Sequence, residues 1–359
     1  MTDRFPRAAL VLIVAAALVI TLAGLRATAG IVGPTLLALV LTITVHPVRR
    51  WLAEKNLPDW AVSLIVVTTV YILLILLTLS LVYAGARMAT LLPSYVPKIQ
   101  EYINDVGGWL EDKGMGDAQV SAAVGALDAS RLLSIATSLA GAIVALLSNL
   151  FFIVTLALFM AFDTRSTERV LDRVRDERPH LVEALVSFTQ GTRNYMAVSA
   201  GFGFIVAVID GVALWVMGVP GAFVWAVLAF VTNFIPNIGF VIGVIPPAII
   251  GLLEGGPGLM IGVIIVYSVI NVVIQSVIQP RYVGDKVGLS PTITMLSLVF
   301  WAWALGALGA LLAVPLSLLA RALLVEADPE ARWALPLIAG KPDFKIETGP
   351  DEVEAAAAD

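Results

Sequence analysis

The sequence predicts an all-α, polytopic membrane protein of about eight transmembrane helical segments, two of them broken or re-entrant. Three observations carry this. Of 359 residues, 59% are hydrophobic and only 14% charged, against about 25% charged in a soluble domain, and mean hydropathy is +0.94. Several charge-free runs are long enough to cross a ~30 Å hydrocarbon core, which takes about 20 residues of helix. The two longest runs of the C-terminal half are punctuated by glycine and proline. Backbone amides in lipid must be satisfied internally, so the runs are helices and not open sheets.

Residues 1–86 hold the first three spans. Residues 8–25, 27–45 and 60–86 carry no charge, and Ala29-Gly30 to Gly33-Pro34 separates the first two. The stretch 1–26, with Arg4 and Arg7, resembles a signal peptide. It lacks a small-residue cleavage site with a polar flank and is read as a retained first span. Residues 87–131 form an extramembrane region in which Leu92, Tyr95, Val96, Ile99, Tyr102, Ile103, Val106 and Trp109 recur at spacings of three and four, the apolar face of a helix. A fourth uncharged span covers 132–162. Residues 163–195 read as charged amphipathic helices, broken near Pro179, lying against the membrane or a neighbouring subunit. Residues 196–325 form the expected transport core, and 326–359 an acidic, alanine-rich, partly disordered tail.

Basic residues orient the chain. Arg49, Arg50 and Lys55 follow the second span, and Arg165, Arg169, Arg173, Arg175 and Arg178 follow the fourth. Both loops are expected in the cytoplasm, with both termini inside a bacterial inner membrane and 87–131 outside.

The core holds the informative runs. Residues 222–253 are uncharged and would span ~48 Å as one straight helix, too long for a bilayer. Pro236, Asn237 and Gly239 predict a break near 236–239, with Gly243, Pro246 and Pro247 beyond it. Either the helix is strongly kinked or it doubles back as a hairpin, which is the reading slightly preferred. Residues 291–320 repeat the problem around Gly306, Gly309 and Pro315. Broken helices at membrane depth free backbone groups that suit substrates and ions; the alternative is a packing kink.

Polar side chains in these runs are few. Asp210 is the only carboxylate deep in a span, at residues 196–217. A buried ionised carboxylate costs about 3 kcal/mol on insertion scales, so Asp210 faces a cavity, pairs with a polar group or is protonated. A proton or sodium site and a satisfied helix contact are both open. Asn271, Gln275 and Gln279 fall at i, i+4 and i+8, one polar stripe that either bonds between helices or lines a transport path. Asn233 and Asn237 are also four apart, beside the first break. Glu254, next to Gly255-Gly256-Pro257, reads as a solvated turn residue, and His46 as interfacial.

Other chemistry is excluded by composition. No cysteine is present, which removes disulfides, thiol nucleophiles and Cys-based metal sites. His46 and His180 are isolated, so no H-E-x-x-H site exists, and no G-x-x-x-x-G-K-[ST] motif supplies nucleotide hydrolysis. No enzyme activity, cofactor or metal is expected. The net charge of −5, with basic residues scattered through short loops, implies no nucleic acid. The expected partners are the lipid bilayer and a small-molecule or ion substrate.

The run Asn233-Phe-Ile-Pro236-Asn237-Ile-Gly239-Phe-Val-Ile-Gly243-Val-Ile-Pro246-Pro247 resembles the signature of the autoinducer-2 exporter-like family. Gly218-Val-Pro220, Gln279-Pro280-Arg281, Gly284, Leu289-Ser-Pro291 and Gly309-Ala-Leu-Leu-Ala-Val-Pro315 complete the pattern, over roughly residues 8–325. The resemblance implies about eight helical segments, an extramembrane region between the third and fourth, and a homo-oligomer, with a pentamer plausible. It implies a transporter, with members associated either with export of a quorum-sensing signal or small metabolite or with sodium or lithium efflux in exchange for protons. The amides Asn233, Asn237, Asn271, Gln275 and Gln279 offer the donors and acceptors a small hydrophilic organic solute needs, so a secondary transporter exporting such a solute, for example a quorum-sensing signal, is the preferred reading. Sodium or lithium/proton antiport, with Asp210 as its one titratable group, is the alternative, and a passive channel, for which no charge ring or carbonyl filter is visible, ranks below both. The residues carried forward as transport path or coupling site are Asp210, Asn233, Pro236, Asn237, Gly239, Pro246, Asn271, Gln275, Gln279, Gly309 and Pro315.

Overall fold

A computed structural model describes residues 7–53, 58, scattered positions between 61 and 108, and 150–339 apart from 161, 164, 165, 168, 237 and 280–287. Among the described residues there is no strand. Asn237, Pro280, Arg281, most of the expected fourth span and the tail from 340 lie outside them. The chain divides into two compact units, one of Met1–Asp59, Leu156–Ala197 and Val283–Asp359, the other of Trp60–Thr155 and Val198–Tyr282.

In the first unit, α1 (Arg7–Ala27) and α2 (Ala29–Ala53) meet at an 80° bend. The break falls at Thr28, ahead of the Ala29–Pro34 stretch expected from sequence. The Thr28 hydroxyl donates back to the Gly24 carbonyl at 2.8 Å, and its own carbonyl starts the next helix by accepting from Ile31 and Val32. Gly33 therefore serves α2 itself, giving close approach to Leu308. The long helix α3 (Pro179–Val216), in this unit up to Ala197 and in the second from Val198, starts after the expected interruption, since Arg178 is non-helical. No break separates the charged stretch before 195 from the span after it. At 1.5 Å per residue its 38 residues reach ~57 Å, well beyond a bilayer.

Ser290 caps the next helix, accepting from the Ile293 amide at 3.3 Å, and Pro291 fills the first helical position, where its missing N–H costs nothing. This is α6 (Pro291–Leu311), following α4 and α5 of the second unit. It is interrupted at Gly306, with φ 66° and ψ −143°. A Cβ on Gly309 would overlap the Trp301 carbonyl. Eight residues along a straight helix separate atoms by ~12 Å, so the chain doubles back at Gly306. It returns through α7 (Ala313–Arg321), a π-helical turn at Ala322–Glu326, a 3-10 turn at Pro329–Ala334 and the short α8 (Leu335–Ala339). Ile43, Ala184, Phe188, Val314, Leu318 and Ala322 make the core of this unit. Arg321 pairs with Glu326 at 2.7 Å, and Arg332 donates to His180 Nδ1 at 2.8 Å.

The second unit contains α4 (Ala222–Thr232) and α5 (Gly239–Asn271), which continues into a π-helix at Val272–Ile278. A Cβ on Gly239 would overlap the Thr232 carbonyl, so α4 and α5 form a tight hairpin across the turn at 233–238. Eleven residues of α4 reach only ~17 Å, about half the hydrocarbon thickness. The 222–253 run is thus a helical hairpin and not one kinked helix. A second reversal, at the turn read from Glu254 and its Gly255-Gly256-Pro257 neighbours, occurs at Gly256, with φ 73° and ψ −170°. Gly251 there lies against Leu259 and Val263, contacts a straight helix would hold 12–18 Å apart. Leu214, Trp225, Ile250, Val263 and Tyr267 anchor the core between these arms.

Glu254 is an exposed residue at the Gly256 turn, as expected, and it also has partners there. It accepts from Tyr95 Oη and pairs with Lys98 at 3.8 Å, while Lys98 also donates to the Leu253 carbonyl at 3.0 Å. The helical residues 95 and 98 thereby fasten onto the Gly256 turn. Counted by length and apolarity, the described residues contain three long helices and one bent pair.

Candidate functional site

The hairpin tip, α3 and the far arm of α5 bring the polar residues of the second unit together. α3 carries Asp210, six residues before its end at Val216 and so ~9 Å in along the axis. Asp210 is fully buried. Neither of its oxygens has a hydrogen-bond partner among the described residues. It lines a small cavity of about 10 Å³ together with Thr232 and Asn233 from the end of α4, and Tyr267, Asn271 and Gln275 from α5 and its π continuation. No basic side chain lines it. Asn271 is near enough to act on the carboxylate but not in hydrogen-bond geometry.

The amides around the cavity are knitted together. Asn233 donates to the Ser199 carbonyl at 2.9 Å. Gln275 Nε2 donates to Asn233 Oδ1 at 3.0 Å and to Asn271 Oδ1 at 2.9 Å. Asn271 donates to the Tyr267 carbonyl at 2.9 Å. Thr232 turns its hydroxyl proton back to Leu228 at 2.9 Å, leaving its lone pairs toward the cavity side. Close approach is set by glycines: Gly203 lies under Asn233, Gly243 under Thr232 Oγ1, and Gly211 under Ala226. The Tyr267 hydroxyl is buried without a partner.

Of the residues singled out in sequence, Asp210, Asn233, Asn271 and Gln275 meet here, with Gly239 closing the hairpin beside Thr232. Pro236 sits in the tip, its carbonyl accepting from Ile238. Pro246 lies within α5, half-buried. Gln279 ends the π-helix, beyond the cavity lining. Gly309 and Pro315 belong to the hairpin of the first unit, described by itself above. Thr232 and Tyr267 were missed. Tyr267 is four residues before Asn271, so the stripe that held Asn271 and Gln275 extends one turn further back.

The family model for AI-2E family transporters matches residues 12–327 of this chain. The chain is 28% identical to the AI-2 transport protein TqsA of Escherichia coli K12, over 85% of this chain and 88% of that protein. It is 28% identical to the Escherichia coli K12 protein YhhT, over 94% of this chain and 96% of that one. A Haemophilus influenzae protein is 29% identical over 92% and 96%.

Proposed function

This chain belongs to the AI-2E transporter family, and from that premise we propose that it is a secondary transporter exporting a small hydrophilic organic solute of the autoinducer-2 type. One observation carries the reading: a short helical hairpin places Asn233 in a hydrogen-bonded amide set with Gln275 and Asn271. Polar groups inside the bilayer are costly and mark substrate and ion pathways. A small polyol needs both donors and acceptors, and amides supply both. One relative is named an AI-2 transport protein, which supports the solute class. Sodium or lithium/proton antiport would use Asp210 and leave the amides idle.

The test is efflux from inverted vesicles or proteoliposomes loaded with isotopically labelled autoinducer-2. Saturable counterflow lost in Asn233→Ala and Gln275→Ala is the expected result. No diol counterflow, with proton flux evoked by sodium or lithium alone, would replace this reading with antiport. Non-saturable leak would indicate a passive pore.

A further inference from the structure

We propose that the first unit holds a binding site for one ethanolamine phospholipid, seated at the end of α7. The site is separate from the amide set and does not depend on which solute is carried.

Two cavities of this unit meet at Arg321. One, about 540 Å³, is lined by Arg175, Arg321 and a polar stripe of α3. Glu183, Ser187, Gln190 and Asn194 form that stripe at intervals of four, three and four, one helical face. The other cavity, about 360 Å³, lies between α6 and the returning chain, with Leu296, Phe300, Leu324 and Val325 in its walls. Its lining is apolar apart from Arg321, Ser297, Trp301 and Ser317, and the last two bond to each other at 3.0 Å. Leu296 and Leu324 are 61% and 72% exposed, so this groove is open to acyl chains. Arg321 lines both cavities. It is also the first charged residue after the uncharged run 287–320, which puts it at the boundary between hydrocarbon and water. A polar cavity joined to an apolar groove at that boundary has the layout of a lipid, headgroup on one side and chain on the other.

Charge complementarity narrows the headgroup. Arg321 Nε pairs with Glu326 at 2.7 Å and Nη1 donates to the Gly288 carbonyl at 2.5 Å. These contacts fix the guanidinium and leave Nη2 for a phosphate oxygen. Arg175 stands 3.7 Å from Asp172, too far for a hydrogen bond, so its donors also serve a phosphate. Glu183 brings a negative charge into the same lining, which disfavours a purely anionic headgroup. Its neighbours His180 and Arg332 are 3.7 and 3.8 Å away, so its oxygens keep lone pairs for an N–H donor. Gly191 packs α3 on Leu318, one turn before Arg321, and sets the middle of the stripe beside the guanidinium. Glu183 lies one further turn, ~6 Å, toward water. Phosphate at Arg321 and ammonium at Glu183 follow the order of an ethanolamine headgroup. A choline headgroup has no N–H and leaves Glu183 unmatched.

The experiment is native mass spectrometry of the purified, delipidated full-length protein in detergent. It is titrated with phosphatidylethanolamine, with phosphatidylcholine and phosphatidylglycerol of the same chains, and with water-soluble glycerophosphoethanolamine. The expected result is one ethanolamine lipid per chain, with choline lipid about tenfold weaker for want of one charge-assisted hydrogen bond. Arg175→Gln weakens both lipids about tenfold on the same grounds. Glu183→Gln brings ethanolamine and choline lipids to equal affinity, a ratio within one protein that misfolding does not shift. Equal binding of the two by the wild type overturns the site, and so does a preference that Glu183→Gln leaves intact. Tighter binding of phosphatidylglycerol than of phosphatidylethanolamine overturns the ammonium at Glu183. Glycerophosphoethanolamine binding as tightly as the lipid overturns the acyl groove, leaving a site for a free phosphoester.

Discussion

Asn233 concentrates the local energetics of the site, since it donates to Ser199 and accepts from Gln275 across three helical segments. Removing a part-buried partner that leaves others unsatisfied costs about 1–3 kcal/mol. Asn233→Ala is expected to destabilise the protein by about 2 kcal/mol in thermal unfolding and to reduce solute counterflow at least tenfold. Asn233→Asp keeps the acceptor toward Gln275 but sets a carboxylate against the Ser199 carbonyl, so it should be no milder. Counterflow equal to wild type in both would remove Asn233 from the path. The amides were legible in sequence because a carboxamide in an apolar run has few reasons to be there and their spacing of four is a helical period. Thr232 and Tyr267 were not, because hydroxyl and aromatic residues are ordinary in membrane helices, and the unpartnered Tyr267 hydroxyl arises only from packing. Glu254 was read correctly as an exposed turn residue, but its partners were not foreseen. Its Gly-Gly-Pro neighbours mark a turn, and nothing local announces that Tyr95, far away in sequence, will meet it there.

Elements fold here by backbone contact at glycine. Gly239 and Gly309 each lie where a Cβ would overlap a carbonyl of the facing arm, so Gly239→Ala and Gly309→Ala should each open a hairpin. Overpacking costs typically 1–3 kcal/mol, and a rigid carbonyl on one side puts both variants at the upper end, read as a lower melting temperature. Gly201→Ala is the control: nothing lies within 4 Å of its added methyl, and a helical Gly→Ala change is worth up to about 1 kcal/mol of stabilisation. Equal effects at 201 and 239 would defeat the argument. The fastening of 95–98 onto the Gly256 turn makes a graded prediction. Tyr95→Phe removes a hydrogen bond to a carboxylate, worth about 1.5–3 kcal/mol. Lys98→Ala should cost under about 1 kcal/mol for its pair with Glu254, because that pair is part-exposed and screened; a double-mutant cycle with Glu254→Gln separates the two. Glycine and proline density located the breaks near 236 and 306 in sequence. It could not give the direction of the chain after each, which depends on a single left-handed residue and on what the returning arm packs against. At Gly256 the turn was marked by Glu254 and the Gly255-Gly256-Pro257 run, but what the returning arm packs against was not.

For the whole molecule, the hairpin at 233–238 settles how the basic residues can obey one rule. If 222–253 crossed once, the 254–258 turn would leave the side on which α3 ends, and the next crossing would deliver Arg281 and Lys286 outside. With the hairpin, that turn returns to the side it left, and one crossing by the stretch from 257 is the arrangement the positive-inside rule expects for the basic residues that follow it in sequence. The Tyr95–Glu254 bond agrees independently, because the 87–131 region is expected outside and can touch Glu254 only if the turn is outside too. In the first unit, the Arg332–His180 contact ties the segment after α7 to the start of α3, a loop whose arginines place it inside. The absence of cysteine makes these statements directly testable by single-cysteine labelling with an impermeant maleimide. Gly258→Cys, whose added atom meets nothing within 4 Å, should label from outside only, like Glu101→Cys on the exposed face of the extramembrane helix. Trp333→Cys, at a side chain 70% exposed, should label from the cytoplasm only. Cytoplasmic labelling of Gly258→Cys would mean that 222–253 crosses the membrane, and the hairpin-tip position of Asn233, on which the solute path depends, would fall with it.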